Sequence, residues 1–274
     1  MWTGGEGSPM KLSAFRHVAL LVFVISAWPR CELQAQIDQG ALVTRLLGSN
    51  PKEKRAAIEQ VRGIQPSELS TELRQALITA LEQSNGAYAD HLQALGRGEP
   101  DLLQHGELAD LHGDLVEVVA RIRDPKAIPA LVRGLGTGLL VIRAVTEFGE
   151  AAVPHVVQSV LSDLEHTSVV NGGLIVLRFH VERVGESGLA DSTRAQIRRA
   201  ADLRLTGTQG ATTLWRAIDL AIALGDQRLI QEVRVLASNT TELRRRGVTD
   251  PELILETQRR IADRLAGKPA LPRP

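Results

Sequence analysis

Residues 123–135 read RDPKAIPALVRGL, and the two prolines four residues apart decide the architecture. The segment before them, GDLVEVVARI (113–122), sets Leu115, Val118, Val119 and Ile122 at the i, i+3, i+4, i+7 spacing of a helix face. Asp124-Pro125 ends that helix, because proline disfavours helical geometry in the residue before it and cannot extend the hydrogen-bond ladder. Pro129 does the reverse: in a first turn its missing N–H has no intrahelical partner to lose, so it opens the next helix. The stretch is a corner between two helices.

The corner recurs. FGEAAVPHVVQSV (148–160) aligns Pro154 with Pro129, Val153 with Ile128 and Val157 with Val132. LGDQRLIQEVRVL (224–236) sets Asp226 against Asp124, Ile230 against Ile128 and Val233 against Leu131. Nearer the start, GSNPKEKRAAIEQVRGI (48–64) and PSELSTELRQALITALEQ (66–83) form a pair of amphipathic helices, each opened by a proline. A hairpin of this kind cannot bury its apolar face alone, so neighbours stack and share one core. The last helix is announced by Asp250 as cap, Pro251 in the first turn and Gly267 beyond the end. Its Arg259, Arg260 and Arg264 are expected to form a polar outer face.

Composition agrees. Hydrophobic residues make up 43% and charged ones 23%, as in a folded chain, while aromatics are only 3%. The core must therefore be Leu, Val, Ile and Ala, a mix that favours helices packed closely on helices. The 32 basic and 32 acidic residues balance, which argues against nucleic acid or an anionic membrane as the main partner.

The DPKAIPALVRGL and GEAAVPHVVQSVL segments resemble HEAT repeats, in particular the short variety associated with phycobilisome lyases. The likeness is clear over 115–161, fair over 46–83 and 211–236, and weak over 165–205. It implies an all-α fold: an armadillo-like, right-handed α-solenoid of stacked helical hairpins over residues 36–267, interrupted by an irregular insertion at 84–112. It is nearly silent on function, since such solenoids serve as scaffolds, adaptors, lyase subunits and DNA glycosylases.

Residues 1–35 read as an address. After Met10, the basic Lys11 and Arg16 precede an apolar run from Val18 to Trp28, which has the length of a secretory signal and is too short to span a bilayer. Ala35 is the cleavage point expected, and the nine residues before Met10 read as an upstream extension. Removing residues 1–35 leaves 29 basic and 30 acidic residues and takes away Cys31, the one cysteine. An exported, periplasmic or extracellular protein is the expectation, with no stable membrane insertion after cleavage. Residues 268–274 read as a disordered tail.

No catalytic constellation emerges. GLGTGLL (134–140) lacks the preceding strand of a phosphate-cradling loop and reads as a tight turn. His91, His105 and His112, with Asp90, Asp101, Asp110 and Asp114, are metal-ligand residue types, but spacings of 14 and 7 residues match no metal signature. They read as solvated loop residues, and His180 as a partnered packing residue. GESGLADS (185–192) lacks the GxSxG elbow and reads as a loop with a helix cap at Asp191 or Ser192. Arg244, Arg245 and Arg246 read as a solvated charge run.

The expectation is therefore a scaffold or adaptor rather than an enzyme, without cofactor or metal, binding a protein or peptide through the curved face of the solenoid. The polar positions that the repeat alignment turns to that face are Arg133, His155, Gln158, Arg199 and Arg234, mixed in character as protein interfaces are. The alternative is a lyase-like or metal-assisted hydrolytic enzyme using the His/Asp-rich insertion.

Overall fold

Thirteen α-helices and several short 3₁₀ turns make up the described part of the chain, with no strand among the described residues. The computed structural model describes residues 37–97, 102–162 and 166–268. The address at 1–35, Asp101 and residues 269–274 lie outside them, as do the side chains of 102–105 and Glu186. From Gln39 onward the chain is one unit.

The helices are α1 (Gln39–Leu47), α2 (Pro51–Arg62), α3 (Thr71–Gly96), α4 (Leu102–Ile122), α5 (Ile128–Arg133), α6 (Leu139–Glu147) and α7 (Val153–Ser162). They continue as α8 (Thr167–Val184), α9 (Asp191–Thr206), α10 (Ala211–Leu224), α11 (Gln227–Ser238), α12 (Thr240–Arg245) and α13 (Pro251–Leu265). Side-chain caps start several of them. Asn50, Asp124, Asp226 and Asp250 each accept a backbone N–H two residues on, at 2.8–3.0 Å, as Asx residues do at a helix start. Asp124 and Asp226, aligned in sequence, thus both cap the start of a corner, Asp124 the 3₁₀ turn at Pro125–Ala127 and Asp226 the helix α11.

Packing follows chain order. The pairs α1/α2, α3/α4, α5/α6, α7/α8, α9/α10 and α11/α13 pack side by side, and each also packs on the next pair. The step from pair to pair runs along two rows: α1, α3, α5, α7, α9, α11 in the first and α2, α4, α6, α8, α10, α13 in the second. One apolar cluster runs from Leu42 to Ile261 through all of them, and its fully buried members are aliphatic. Phe148 and Phe179 join it only at its margin.

Arginines reach from one helix to the end of its row neighbour. Arg121 of α4 donates to the carbonyls of Val61 and Arg62 at 2.9 and 2.7 Å, and Arg204 of α9 donates through Nε to Val160 O at 2.8 Å. Carbonyls at a helix end have no intrahelical donor, so these side chains satisfy them from the next pair.

Three sequence expectations are corrected. The stretch 84–112 is not an irregular insertion: residues 84–96 continue α3, and 102–112 open α4. Its Gly, Asp and His content looks loop-like, yet Ala, Leu and Gln sustain the helix, and the long contact between α3 and α4 outweighs the glycine cost. In the charge run, Arg246 is buried and lies 3.5 Å from Glu242, so only Arg244 and Arg245 are solvated. Asp191 begins α9 itself, with Ala190 in the cap position.

Candidate functional site

All five residues expected at a partner face stand on the first row. Arg133 lies on α5, His155 and Gln158 on α7, Arg199 on α9 and Arg234 on α11, each exposed. Arg133 is paired with Glu82 of α3. They share a row of helices, on four of its members.

Clefts lie along the second row. One, of about 700 Å³, runs between α6 and α8 and is lined by Leu139, Leu140, Ile142 and Phe179, with Arg143 and Arg183 at its edge. A second, of about 460 Å³, lies between α4 and α6 and shares Leu140, Arg143 and Glu147 with the first. Leu139 and Leu140 are 55% and 45% exposed, an unusual state for adjacent leucines. The cause is local. Gly138, at φ 146°, starts α6 so that Val141, Ile142, Ala144 and Val145 face the core and the two leucines before them do not. Sequence reading took these leucines as part of a turn; the available signal was a pair of apolar residues placed out of phase with the helix behind them.

A buried polar knot holds the pairs beneath. His112 of α4 is 4% exposed and not a solvated loop residue. Thr137 Oγ1 donates to Gly134 O at 2.7 Å, so its lone pair accepts from His112 Nε2 at 2.8 Å. The imidazole Nδ1 is then left to accept from Ser84 Oγ at 3.2 Å, and Tyr88 stacks on the ring at 5.0 Å. Burial lowers the His112 pKa from 6.5 to about 4. The imidazole is a neutral bridge between α3, α4 and the turn before α6. Because the folded form resists the proton, the unfolded chain takes it up first as pH falls below 6.5. Stability contributed by this site is complete above about pH 6.5 and lost progressively down to about pH 4, by roughly 3 kcal/mol in all. Urea titrations across that window should show a shallower acid slope for His112→Gln than for the parent chain. Equal slopes would contradict the assignment. His180, also buried, has Nε2 3.4 Å from Glu150 Oε2, but neither ring nitrogen makes a hydrogen bond with a described residue.

At the end of the second row, arginines converge on a single carboxylate. Asp219 of α10 is 1% exposed and accepts from Arg264 Nε at 2.9 Å, Arg260 Nη2 at 3.1 Å and Arg178 Nη1 at 3.5 Å. Arg260 and Arg264 of α13 therefore turn inward, correcting the expected polar outer face, of which Arg259 remains exposed. Asp219 sits in the apolar run LWRAIDLAIAL (214–224), and a lone acid there is the signal that a buried cation faces it.

Among the described residues no group of three or more His, Cys, Asp or Glu side chains is placed to hold a metal ion. His91 lies on α3, and the His105 side chain is outside the described set. Among the described residues no helix is long and apolar enough to cross a membrane. Comparison with family models, curated proteins and solved structures found no match to this chain.

Proposed function

We propose that the chain is an exported α-solenoid of HEAT type that holds a segment of a protein partner in the clefts along α4, α6 and α8. Support for the solenoid is the packing of each helical pair on the next, with Asp124 and Asp226 capping equivalent corners. The observation that carries the reading is the pair of adjoining clefts sharing Leu140 and Arg143. Exposed leucines beside Phe179 offer an apolar centre, and Arg143, Arg183, Glu147 and Glu182 around it form a charged rim, the anatomy of a protein interface. The reading moves the partner face from the row of Arg133, His155, Gln158, Arg199 and Arg234 to the other row, which lines both of these clefts.

Selection from a displayed library of short random peptides tests it on the full chain. Enriched peptides should carry an apolar anchor, and their affinity should fall about tenfold or more in Leu140→Glu, the scale of losing a central contact. Arg234→Ala should bind as the parent does. Peptides that bind Leu140→Glu unchanged, or that are lost in Arg234→Ala, would return the partner face to the first row.

A further inference from the structure

The arginine cluster around Asp219 has more cations than its acids can partner. Arg178, Arg260 and Arg264 pair with Asp219, Arg216 lies within electrostatic reach of Asp219, and Glu182 is the second acid, 3.6 Å from Arg178 Nε. Among the described residues the surplus is two positive charges. Arg216 stands in the field of Arg260, Asp219 and Arg178, yet its guanidinium makes no hydrogen bond or ion pair with a described residue. Two further donors, Arg178 Nε and Arg260 Nε, are buried without a hydrogen-bond acceptor, and the Arg178 side chain is only 5% exposed.

A set of ion pairs built only to tie α8, α10 and α13 together has no use for Arg216. Like charges gathered in a poorly solvated place repel, and burial with the neighbouring Arg260 and Arg178 lowers the Arg216 pKa despite the opposing effect of Asp219. Such a surplus is stable when an anion neutralises it. Forked guanidinium donors fit the oxygens of carboxylate and phosphate groups, and only a dianion cancels a surplus of two.

We propose that Arg178, Arg216, Arg260 and Arg264 form a binding site for a phosphate group. Arg216, half-buried and unpaired among the described residues, is the arm that meets the ligand, while Asp219 keeps Arg260 and Arg264 in place. Trp215, whose ring lies 5.0 Å from the Arg260 guanidinium and whose Nε1 donates to Thr257 Oγ1 at 2.8 Å, gives the site an aromatic wall. The site stands on the charge geometry and does not depend on the cleft reading above.

Calorimetric titration of the full chain with inorganic phosphate, against sodium chloride and acetate at equal ionic strength, tests the proposal. Phosphate should bind saturably and raise the melting temperature, whereas chloride and acetate should not. Arg216→Gln should weaken phosphate at least tenfold, the effect of losing one charged hydrogen-bond donor. Because Arg216 holds no partner among the described residues, that variant should fold and, without phosphate, be at least as stable as the parent. A phosphate response equal to that of chloride, or unchanged in Arg216→Gln, overturns the site and leaves an ion-pair staple. Phenyl phosphate distinguishes the source: tighter binding than inorganic phosphate assigns an organic phosphate ester lying on Trp215, and weaker binding assigns the free ion.

Discussion

Asp219→Ala should lower the stability of the chain by about 4 kcal/mol, measured by urea denaturation at neutral pH in phosphate-free buffer. Asp219 is the one acid that Arg178, Arg260 and Arg264 share, and it is 1% exposed. Removing one partner from a buried ionic group costs roughly 3–5 kcal/mol because the remaining charges are left uncompensated. Here three guanidinium groups from two helices lose their common acceptor at once, and Arg216 adds its charge to theirs. Asp219→Asn keeps an acceptor oxygen for Arg264 and should lose less, so the difference between the two variants isolates the charge. A loss below about 1 kcal/mol in Asp219→Ala, the scale of an exposed pair, would show that water reaches the cluster freely.

Gly172→Ala should cost about 3 kcal/mol, at the upper end of the range for overpacked cores. Gly172, on α8, lies so close to the turn at 134–136 that an added Cβ would stand 2.5 Å from Leu135 O and 2.9 Å from Leu135 Cβ. Backbone cannot rotate out of the way as a side-chain tip can. At the adjacent Gly173 the nearest atom is Val160 Cγ2, the movable end of a side chain, so Gly173→Ala should be milder. Gly86, on α3 with nothing within 4 Å, provides the opposite sign: Gly86→Ala should stabilise by about 0.5–1 kcal/mol through helix propensity alone. Melting curves of the three variants should rank in that order, and a Gly172→Ala chain as stable as its parent would mean that α8 is not pressed on the turn.

The helical class and the corners were readable because they rest on local chemistry. Pro125, Pro129 and Pro154 act within one turn of their own backbone, and Asp226 and Asp250 cap the helices that follow them. The length of α3 was not readable: Ser84, Asn85 and Gly86 look like a break, and the contact with α4 that holds the helix together is made by residues far along the chain. The buried arginines were missed for a similar reason. Arg260 and Arg264 lie on one stripe of α13, and only the three-dimensional position of Asp219 decides that the stripe faces inward. Leu139 and Leu140 were visible as residues, but their exposure depends on the phase that Gly138 gives to α6.

The poverty in aromatic residues has an optical consequence. Of the three tryptophans, Trp2 and Trp28 fall within residues 1–35, so a chain trimmed of that segment carries Trp215 alone. Its indole is held by Thr257 and faced by the Arg260 guanidinium. Excited at the indole band, such a protein emits from one place only, between α10 and α13, and its emission spectrum and lifetime report the charge state and hydration of the arginine cluster without any label.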